Sequence, residues 1–505
     1  MSVPVTVQRA LSLSSRRFPK KIAIYYKNES LTYSQLDIRS TKLANGLLAL
    51  GLQPGDRVGI LLPNCPDYIV FAIACAKAVL CMVPINYRFT PMELALQIKD
   101  SGAKAIIFDD IFSNTLLEAS LPKEVISICR NGNRSELDFD ELIDHAPSGN
   151  LTVQANESDL FYLGYTSGTT GKPKGGMITQ RNRALAYHYW ALEFGITSDD
   201  IALHCGPFHH TAPFTFTLTQ LFMGGQVVLL DSFDAKAALQ AIAKYGVTWA
   251  FMVPFMLERV LEEKRNQLDD LDFSSLKMLI SGASPLSTRT KEAICEEFLG
   301  SGLHEFYGAT EAGVVTNLKP KDQSRKIRCV GQPVAELEIQ IRDEEGNVKK
   351  PNEIGDIWLR GPTLFEGYFN DPIKTAEVKQ NDWCNLGDIG RVDEEGFLYL
   401  IDRRKDVIKS GGVNIYPIEI EEVILRDTAV KECAVVGMSD QRWGESTQAF
   451  IVTDESIETI GIRLNSLCQQ YLADYKRPKK IHRIDSLPRN ANGKVLKRVL
   501  REAVI

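Results

Sequence analysis

Short runs of aliphatic and β-branched residues alternate with stretches of helical period through most of this chain. Arg57–Leu62 (RVGILL), Ala105–Phe108 (AIIF) and Gln226–Leu230 (QVVLL) are such runs. Continuous apolar runs of this length read as strands buried on both faces, and the helical stretches between them are what covers those faces. The pattern therefore predicts parallel α/β sheets. Thr90-Pro91-Met92-Glu93 puts a threonine at an N-cap and a proline at N1, which predicts a helix over Met92–Ser101 feeding a strand at Ala105. The same alternation recurs at Ala235–Tyr245 followed by Thr248–Val253. Val5, Leu11 and Leu13 suit an amphipathic first helix. The apolar stretch Ile69–Val83 is interrupted by Lys77 and is shorter than the roughly 20 residues that span a bilayer, so it reads as a buried helix.

After about Arg328 the texture changes to short strands separated by Gly, Asp and Asn turns, as in Ile339–Arg342 before Asp343-Glu344-Glu345-Gly346. This predicts an antiparallel, β-barrel-like portion. A charged stretch, Asp402-Arg403-Arg404-Lys405-Asp406, then precedes about 100 residues with their own strand and helix pattern. The expected organisation is an α/β N-terminal domain over 1–401, β-rich from about 329, followed by a small α+β C-terminal domain over 402–505. A chain of 505 residues exceeds what one core supports, in line with that division.

The balance of 58 Lys+Arg against 64 Asp+Glu gives a net charge of −6, which excludes a bulk field for gathering nucleic acid or anionic lipid. Any bound anion must be held by local groups. The ten cysteines are dispersed with no CxxC pair, so they read as reduced core residues rather than as a disulfide or metal framework. With no secretory apolar region, a cytoplasmic location is expected.

The most informative stretch is Tyr165-Thr166-Ser167-Gly168-Thr169-Thr170-Gly171-Lys172-Pro173-Lys174-Gly175. Glycines let backbone N–H groups turn toward an anion, hydroxyls donate to phosphate oxygens, and Lys172 and Lys174 neutralise charge. The strand-like Leu160–Tyr165 before it places the loop at the carboxyl end of a strand, where open α/β sheets bind ligands. A Walker A loop needs four residues between its first glycine and Gly-Lys. Here two separate Gly168 from Gly171, and Pro173 follows the lysine, so the P-loop NTPase reading fails.

This loop, together with Ser281-Gly282-Ala283-Ser284-Pro285-Leu286, Tyr307-Gly308-Ala309-Thr310-Glu311, Leu386-Gly387-Asp388, Asp402–Asp406 and Pro488-Arg489-Asn490-Ala491-Asn492-Gly493-Lys494, resembles the adenylate-forming superfamily of acyl-CoA synthetases, luciferases and peptide-synthetase adenylation domains. The order and spacing of these motifs cover nearly the whole chain. The resemblance implies a nucleotide site in which Thr166, Ser167, Gly168, Thr169, Thr170, Gly171, Lys172 and Lys174 hold phosphate. In it Gly282 and Ala283 would line the adenine pocket, Tyr307 would stack on adenine beside Gly308, and Thr310 would meet the α-phosphate. Glu311, with Thr166 on the same side, would hold Mg²⁺, and Asp388 and Arg403 would bind the ribose. Outside the family context Asp388 reads equally well as a turn cap, and Arg403–Lys405 as a solvated charge run.

By the same resemblance Lys405 is a hinge about which a mobile C-terminal domain reorients, and Lys494 is the lysine that enters the site for adenylation. Its neighbours Lys497, Arg498 and Arg501 read as solvated. Ser410, Gly411 and Gly412 would border a pantetheine tunnel, which favours coenzyme A as the acceptor. Adjacent His209 and His210 lack acidic or cysteine partners and are poor metal ligands as a set. His210 matches instead the family position at the carboxylate end of the acyl pocket. The segment after it, Thr211–Leu218, carries no aspartate to pair with an amine, so a plain carboxylic acid is expected rather than an amino acid. The chain departs from the family pattern at Gln180, Leu386 and Gly176.

The resulting expectation is an ATP-dependent, AMP-forming carboxylic acid:CoA ligase using Mg²⁺, acting on a medium- or long-chain fatty acid. An aromatic acid, or an acceptor other than CoA, is the alternative within the enzyme class. A catalytically dead scaffold is the alternative outside it, and the retained Lys494, Glu311, Asp388 and Arg403 argue against that.

Overall fold

The computed structural model describes residues 3–132, 137–149, 151, 153–167, 173–267, 271–489 and 495–502. They divide into two compact units, one within Met1–Glu338 and Arg360–Asp382, the other within Ile339–Leu359 and Trp383–Ile505. The β-rich stretch expected over 329–401 is thus shared: residues 329–338 and 360–382 fall in the first unit, and 339–359 and 383–401 in the second.

The first unit holds two sheets, counted among the described residues. In one, seven strands run in the order Leu137–Asp138, Ile126–Arg130, Ala105–Asp109, Arg57–Leu61, Cys81–Pro84, Leu160–Ser167, Pro173–Thr179. All pairs are parallel except the last. The other has nine strands with a parallel centre, Gly302–Ala309, Met278–Ser281, Trp249–Phe251, Ile201–His204, Gln226–Leu229 and Ile22–Tyr26, and antiparallel edges. Both confirm the parallel α/β reading.

Local signals behave as their chemistry requires. Thr90 and Glu93 form a reciprocal capping box, Pro91 opens a helix that ends at Ser101, and Gly102 takes the left-handed cap at φ 60° before the strand at Ala105. The first helix runs Val7–Arg17 from a Thr6 cap, burying Leu11 but leaving Leu13 at 37% exposure. The apolar stretch read as one buried helix is two elements. A helix ends at Ala78, Val79 turns the chain at φ 57°, and Cys81–Pro84 is a strand. Lys77 within it is buried, and its ammonium donates to Asp37 Oδ1 at 2.7 Å, Ser40 Oγ at 3.0 Å and Thr41 Oγ1 at 2.7 Å, which makes it a structural charge.

In the second unit the strands Glu338–Arg342, Gly355–Arg360, Trp383–Val392 and Leu398–Arg403 are neighbours. A separate five-stranded sheet, containing Glu432–Asp440 and Gly444–Val452, packs its core with the helices Pro417–Ile424 and Ile457–Tyr471. Nine of the ten cysteines are buried or half-buried, and none is in a disulfide. No helix among the described residues is long and apolar enough to cross a membrane.

Candidate active site

The phosphate loop joins two antiparallel strands, with Thr166 opposite Lys174 and Ser167 opposite Pro173. A Walker A loop leads from strand to helix, so the topology gives a second reason to set that reading aside. Gly168, Thr169, Thr170, Gly171 and Lys172 lie outside the described residues. Lys174 is placed with its ammonium 5.1 Å from the Tyr368 ring centroid.

Glu311 follows the strand Gly302–Ala309 in the turn before Gly313–Leu318, and is 8% exposed. Its Oε1 accepts from Tyr368 Oη at 3.0 Å and from Thr166 Oγ1 at 3.4 Å. Oε2 has no partner among the described residues, and no cluster of three His, Cys, Asp or Glu side chains exists among them. One carboxylate with an open oxygen and a nearby hydroxyl fits Mg²⁺, which takes few protein carboxylates and completes its shell from phosphates and water. A multi-carboxylate metal cage does not fit. Tyr368 was invisible to sequence reasoning because it reaches Glu311 from 57 residues away.

Thr310 and Thr211 approach at 3.4 Å between hydroxyls, and Tyr162 Oη meets Thr211 Oγ1 at 3.2 Å. A Cβ on Gly164 would strike Thr310 Cγ2, which accounts for a glycine inside that strand. Ser281 pairs in parallel with Glu305, so Gly282 and Ala283 leave their strand beside Phe306 and Tyr307 at the carboxyl edge of the sheet. A Cβ on Gly282 would lie 2.6 Å from the Phe306 ring, and Ala283 adopts φ 69°. Tyr307 is 8% exposed, and Gly308 lies against the Gly313 carbonyl with no room for a side chain.

His210 caps the helix Thr211–Met223 without a side-chain cap bond. Burial, then the Arg88 charge, pushes its imidazole down to about 4, so it is neutral at physiological pH. His209 lies with its ring 4.3 Å from that of His210 and edge-on to Tyr87, and burial, then His210 and Arg88, push its imidazole well below the ordinary value. In the helix itself Thr215, Thr217 and Thr219 donate back to the carbonyls of Thr211, Pro213 and Thr215. The hydroxyl protons of Thr215 and Thr217, within the expected acyl segment, are therefore spent inside the helix. Gln180 is fully buried and accepts from Gln8 N at 3.2 Å.

In the second unit Asp388 and Arg403 face each other across an antiparallel ladder, with Arg403 Nε 2.9 Å from Asp388 Oδ1. Gly387 supplies φ 82° before it. Lys405 is exposed in the short turn of helix Arg404–Asp406. Ser410 pairs with Val413 across a two-residue turn in which Gly411 (φ 58°) and Gly412 (φ 81°) both need the left-handed region. The glycine pair thus has a folding reason of its own. Lys494 lies outside the described residues. Lys497, expected to be solvated, is instead half-buried and paired with Glu421 at 2.8 Å, and Arg501 pairs with Asp406 at 3.1 Å. Asp402, another group the sequence did not single out, is pushed up to about 6 by burial.

These geometries agree with the comparisons to known proteins. The AMP-binding enzyme family matches residues 11–369, and the AMP-binding enzyme C-terminal domain matches 419–494. The chain belongs to the adenylate-forming superfamily. It is 35% identical over 492 residues to a feruloyl-CoA synthase from an Amycolatopsis species, with 96% of both chains covered. It is 33% identical over 488 residues to the 2-succinylbenzoate–CoA ligase of Bacillus subtilis, again covering 96% of each. The o-succinylbenzoate CoA synthetase of Bacillus subtilis, solved with its acyl-adenylate intermediate, superposes with a TM-score of 0.87 at 32% identity and 97% coverage of both chains. The same enzyme solved with ATP and magnesium gives 0.85. Within the superfamily this chain is an AMP-forming acid–CoA ligase, as its relatives and both domains show.

Proposed function

We propose that this ligase activates an aromatic carboxylic acid with ATP and Mg²⁺ and transfers the acyl group to coenzyme A. The observation that carries the choice of acid is the nature of the relatives, which are named for feruloyl and succinylbenzoyl substrates. It displaces the medium- or long-chain fatty acid as first choice. The uncharged helix Thr211–Met223 and the neutral His210 support an acid without an amine, because neither offers it a counter-charge.

In the first step a carboxylate oxygen of the acid bonds to the α-phosphorus of ATP as the bond to pyrophosphate breaks. In the second the CoA sulfur bonds to the acyl carbon, AMP leaves, and the thiol proton passes to solvent. Bound Mg²⁺ would be held by Glu311, with Thr166 beside it, and would supply charge neutralisation on the phosphates. Lys174 and the loop 168–172 cradle phosphate, and Thr310 orients the α-phosphate side. Tyr307, Gly282 and Ala283 receive the base, and Asp388 with Arg403 the ribose. Lys494 completes adenylation, Lys405 is the hinge of a lid over 402–505, and Ser410–Gly412 line the pantetheine path. No protein nucleophile takes part, so positioning and charge complementarity carry the rate.

Pyrophosphate release across a panel of aromatic and aliphatic acids, with and without CoA, tests the proposal. Aromatic acids should give the highest kcat/KM, with thioester formed only when CoA is present. A fatty acid outperforming every aromatic acid would overturn the choice of substrate.

A further inference from the structure

The stretch 363–369 belongs to none of the motifs read from the sequence. In the fold it runs beside the strand Pro173–Thr179 that returns from the phosphate loop. Met177 N donates to Gly367 O at 2.9 Å, Glu366 N to Met177 O at 2.8 Å and Phe369 N to Gly175 O at 2.8 Å, with Gly176 and Tyr368 bridged antiparallel among them. The same stretch holds the turn that carries Glu311: Phe365 N donates to Glu311 O at 2.8 Å, and Thr363 Oγ1 to Ala312 O at 3.2 Å. One extended segment is therefore bonded both to the strand that bears Lys174 and to the turn of the carboxylate assigned to Mg²⁺.

Tyr368 adds a side chain to both connections. It is 7% exposed, its backbone N–H donates to Thr375 Oγ1 at 2.9 Å, and its ring packs edge-on to Phe365 with centroids 5.0 Å apart. The ring therefore has a fixed place. Its hydroxyl donates to Glu311 Oε1 at 3.0 Å, and the Lys174 ammonium lies 5.1 Å from its centroid. Among the described residues no Asp or Glu forms an ion pair with Lys174. A long ammonium side chain loses rotamer freedom when it settles on phosphate, and an aromatic face that attracts cations lowers that loss by restricting it beforehand. A hydroxyl bonded to one oxygen of a carboxylate does the same for the carboxylate's rotation.

The geometry points to Tyr368 as a positioning residue that links the metal half of the site to the phosphate half. Resting on the function proposed above, its hydroxyl fixes the rotation of Glu311 and leaves Oε2 for Mg²⁺, while its ring holds the Lys174 ammonium in the site until phosphate receives it. Both contacts are to protein groups, and Tyr368 takes no part in bond making. The two contributions are separable, because the hydroxyl can be removed without the ring. They also differ in what they act on: the hydroxyl on the increment that metal adds to nucleotide binding, the ring on binding of the nucleotide without metal.

The test measures ATP binding to the full-length enzyme by calorimetry, with EDTA or with Mg²⁺ and without acid or CoA, so that no turnover is involved. Tyr368→Phe should bind metal-free ATP as the wild type does, but lose about 3- to 10-fold of the factor by which Mg²⁺ tightens binding, the range for one neutral hydrogen bond. Tyr368→Leu should lose that increment and also weaken metal-free ATP binding by about 3- to 30-fold, the scale of a cation–π contact. Added to Lys174→Met, the Tyr368→Leu change should leave metal-free affinity where Lys174→Met alone puts it. If Tyr368→Leu fails to fold, the isosteric Tyr368→Phe decides. A full Mg²⁺ factor in Tyr368→Phe, alongside its loss in Glu311→Gln, would overturn the link, as would unchanged metal-free affinity in a folded Tyr368→Leu. A purely structural tyrosine would weaken metal-free and metal-loaded binding equally in Tyr368→Phe, which also overturns it. Retention of the Mg²⁺ factor by Glu311→Gln itself would remove the metal assignment proposed above, and the role of the hydroxyl with it.

Discussion

Glu311 and Asp388 are both buried, at 8% and 5% exposure, yet the fold treats their charges differently. Asp388 faces a guanidinium at 2.9 Å across a β-ladder whose register fixes the pair. Among the described residues Glu311 receives only the neutral hydroxyls of Tyr368 and Thr166, both on one oxygen. A buried carboxylate met by a cation is largely neutralised within the protein, and serves a ligand as an oriented acceptor. One met only by hydroxyls retains charge that an incoming cation can compensate. The contrast fits the roles proposed for them, a carboxylate that would hold Mg²⁺ and one that would align the ribose, which the motifs alone do not distinguish by charge compensation.

The largest effect expected on this division comes from a third charge. Lys494→Ala should lower acid-dependent pyrophosphate release by about 10²- to 10³-fold, the scale for removing one preorganised electrostatic contact. Thioester formation from supplied acyl-AMP should survive, and equal loss of both half-reactions would contradict the assignment. Next, Asp388→Asn should raise KM for ATP by about 10- to 100-fold, because a charged acceptor for the ribose is lost while Arg403 loses its partner. An unchanged KM would make Asp388 a structural cap. The smallest effect belongs to Tyr368→Phe, which removes one neutral hydrogen bond to Glu311 and should cost about 3- to 10-fold in kcat/KM. A loss as large as that of Lys494→Ala would mean that the hydroxyl touches substrate.

His210 gives a pH signature to the first unit. Its folded value is about 4 against an ordinary 6.5, so between those values the unfolded chain binds a proton that the folded protein does not. Its contribution to stability is present above 6.5 and is lost as pH falls through that window toward about 4. His210→Gln should flatten that part of a thermal-melting profile, and kcat/KM should show no His210 inflection near 6.5.

What the sequence made legible was local. The Thr90 N-cap with Pro91 at N1 and the strands at Arg57 and Ala105 were readable because their signals lie within a few residues. The Tyr165–Gly175 stretch and the Tyr307–Glu311 segment stood out as motifs for the same reason, their residues being contiguous. The break at Val79 was not, because an apolar run has no period that separates a buried helix from a buried strand. Nor were the partners of the site. Tyr368 meets Glu311, Lys497 meets Glu421, and Thr215 meets Arg183 across separations that only the fold closes. Sequence named Glu311 and Lys497 but not Arg183, and tertiary packing decided what each of them meets among the described residues.

The most direct measurement of the central distinction is the factor by which Mg²⁺ tightens ATP binding, read by calorimetry without acid or CoA. The wild type and Asp388→Asn should show the same factor, at different absolute affinities, while Glu311→Gln should lose it. Retention of the full Mg²⁺ increment by Glu311→Gln, or its loss in Asp388→Asn alone, would contradict the assignment of the open carboxylate to the metal.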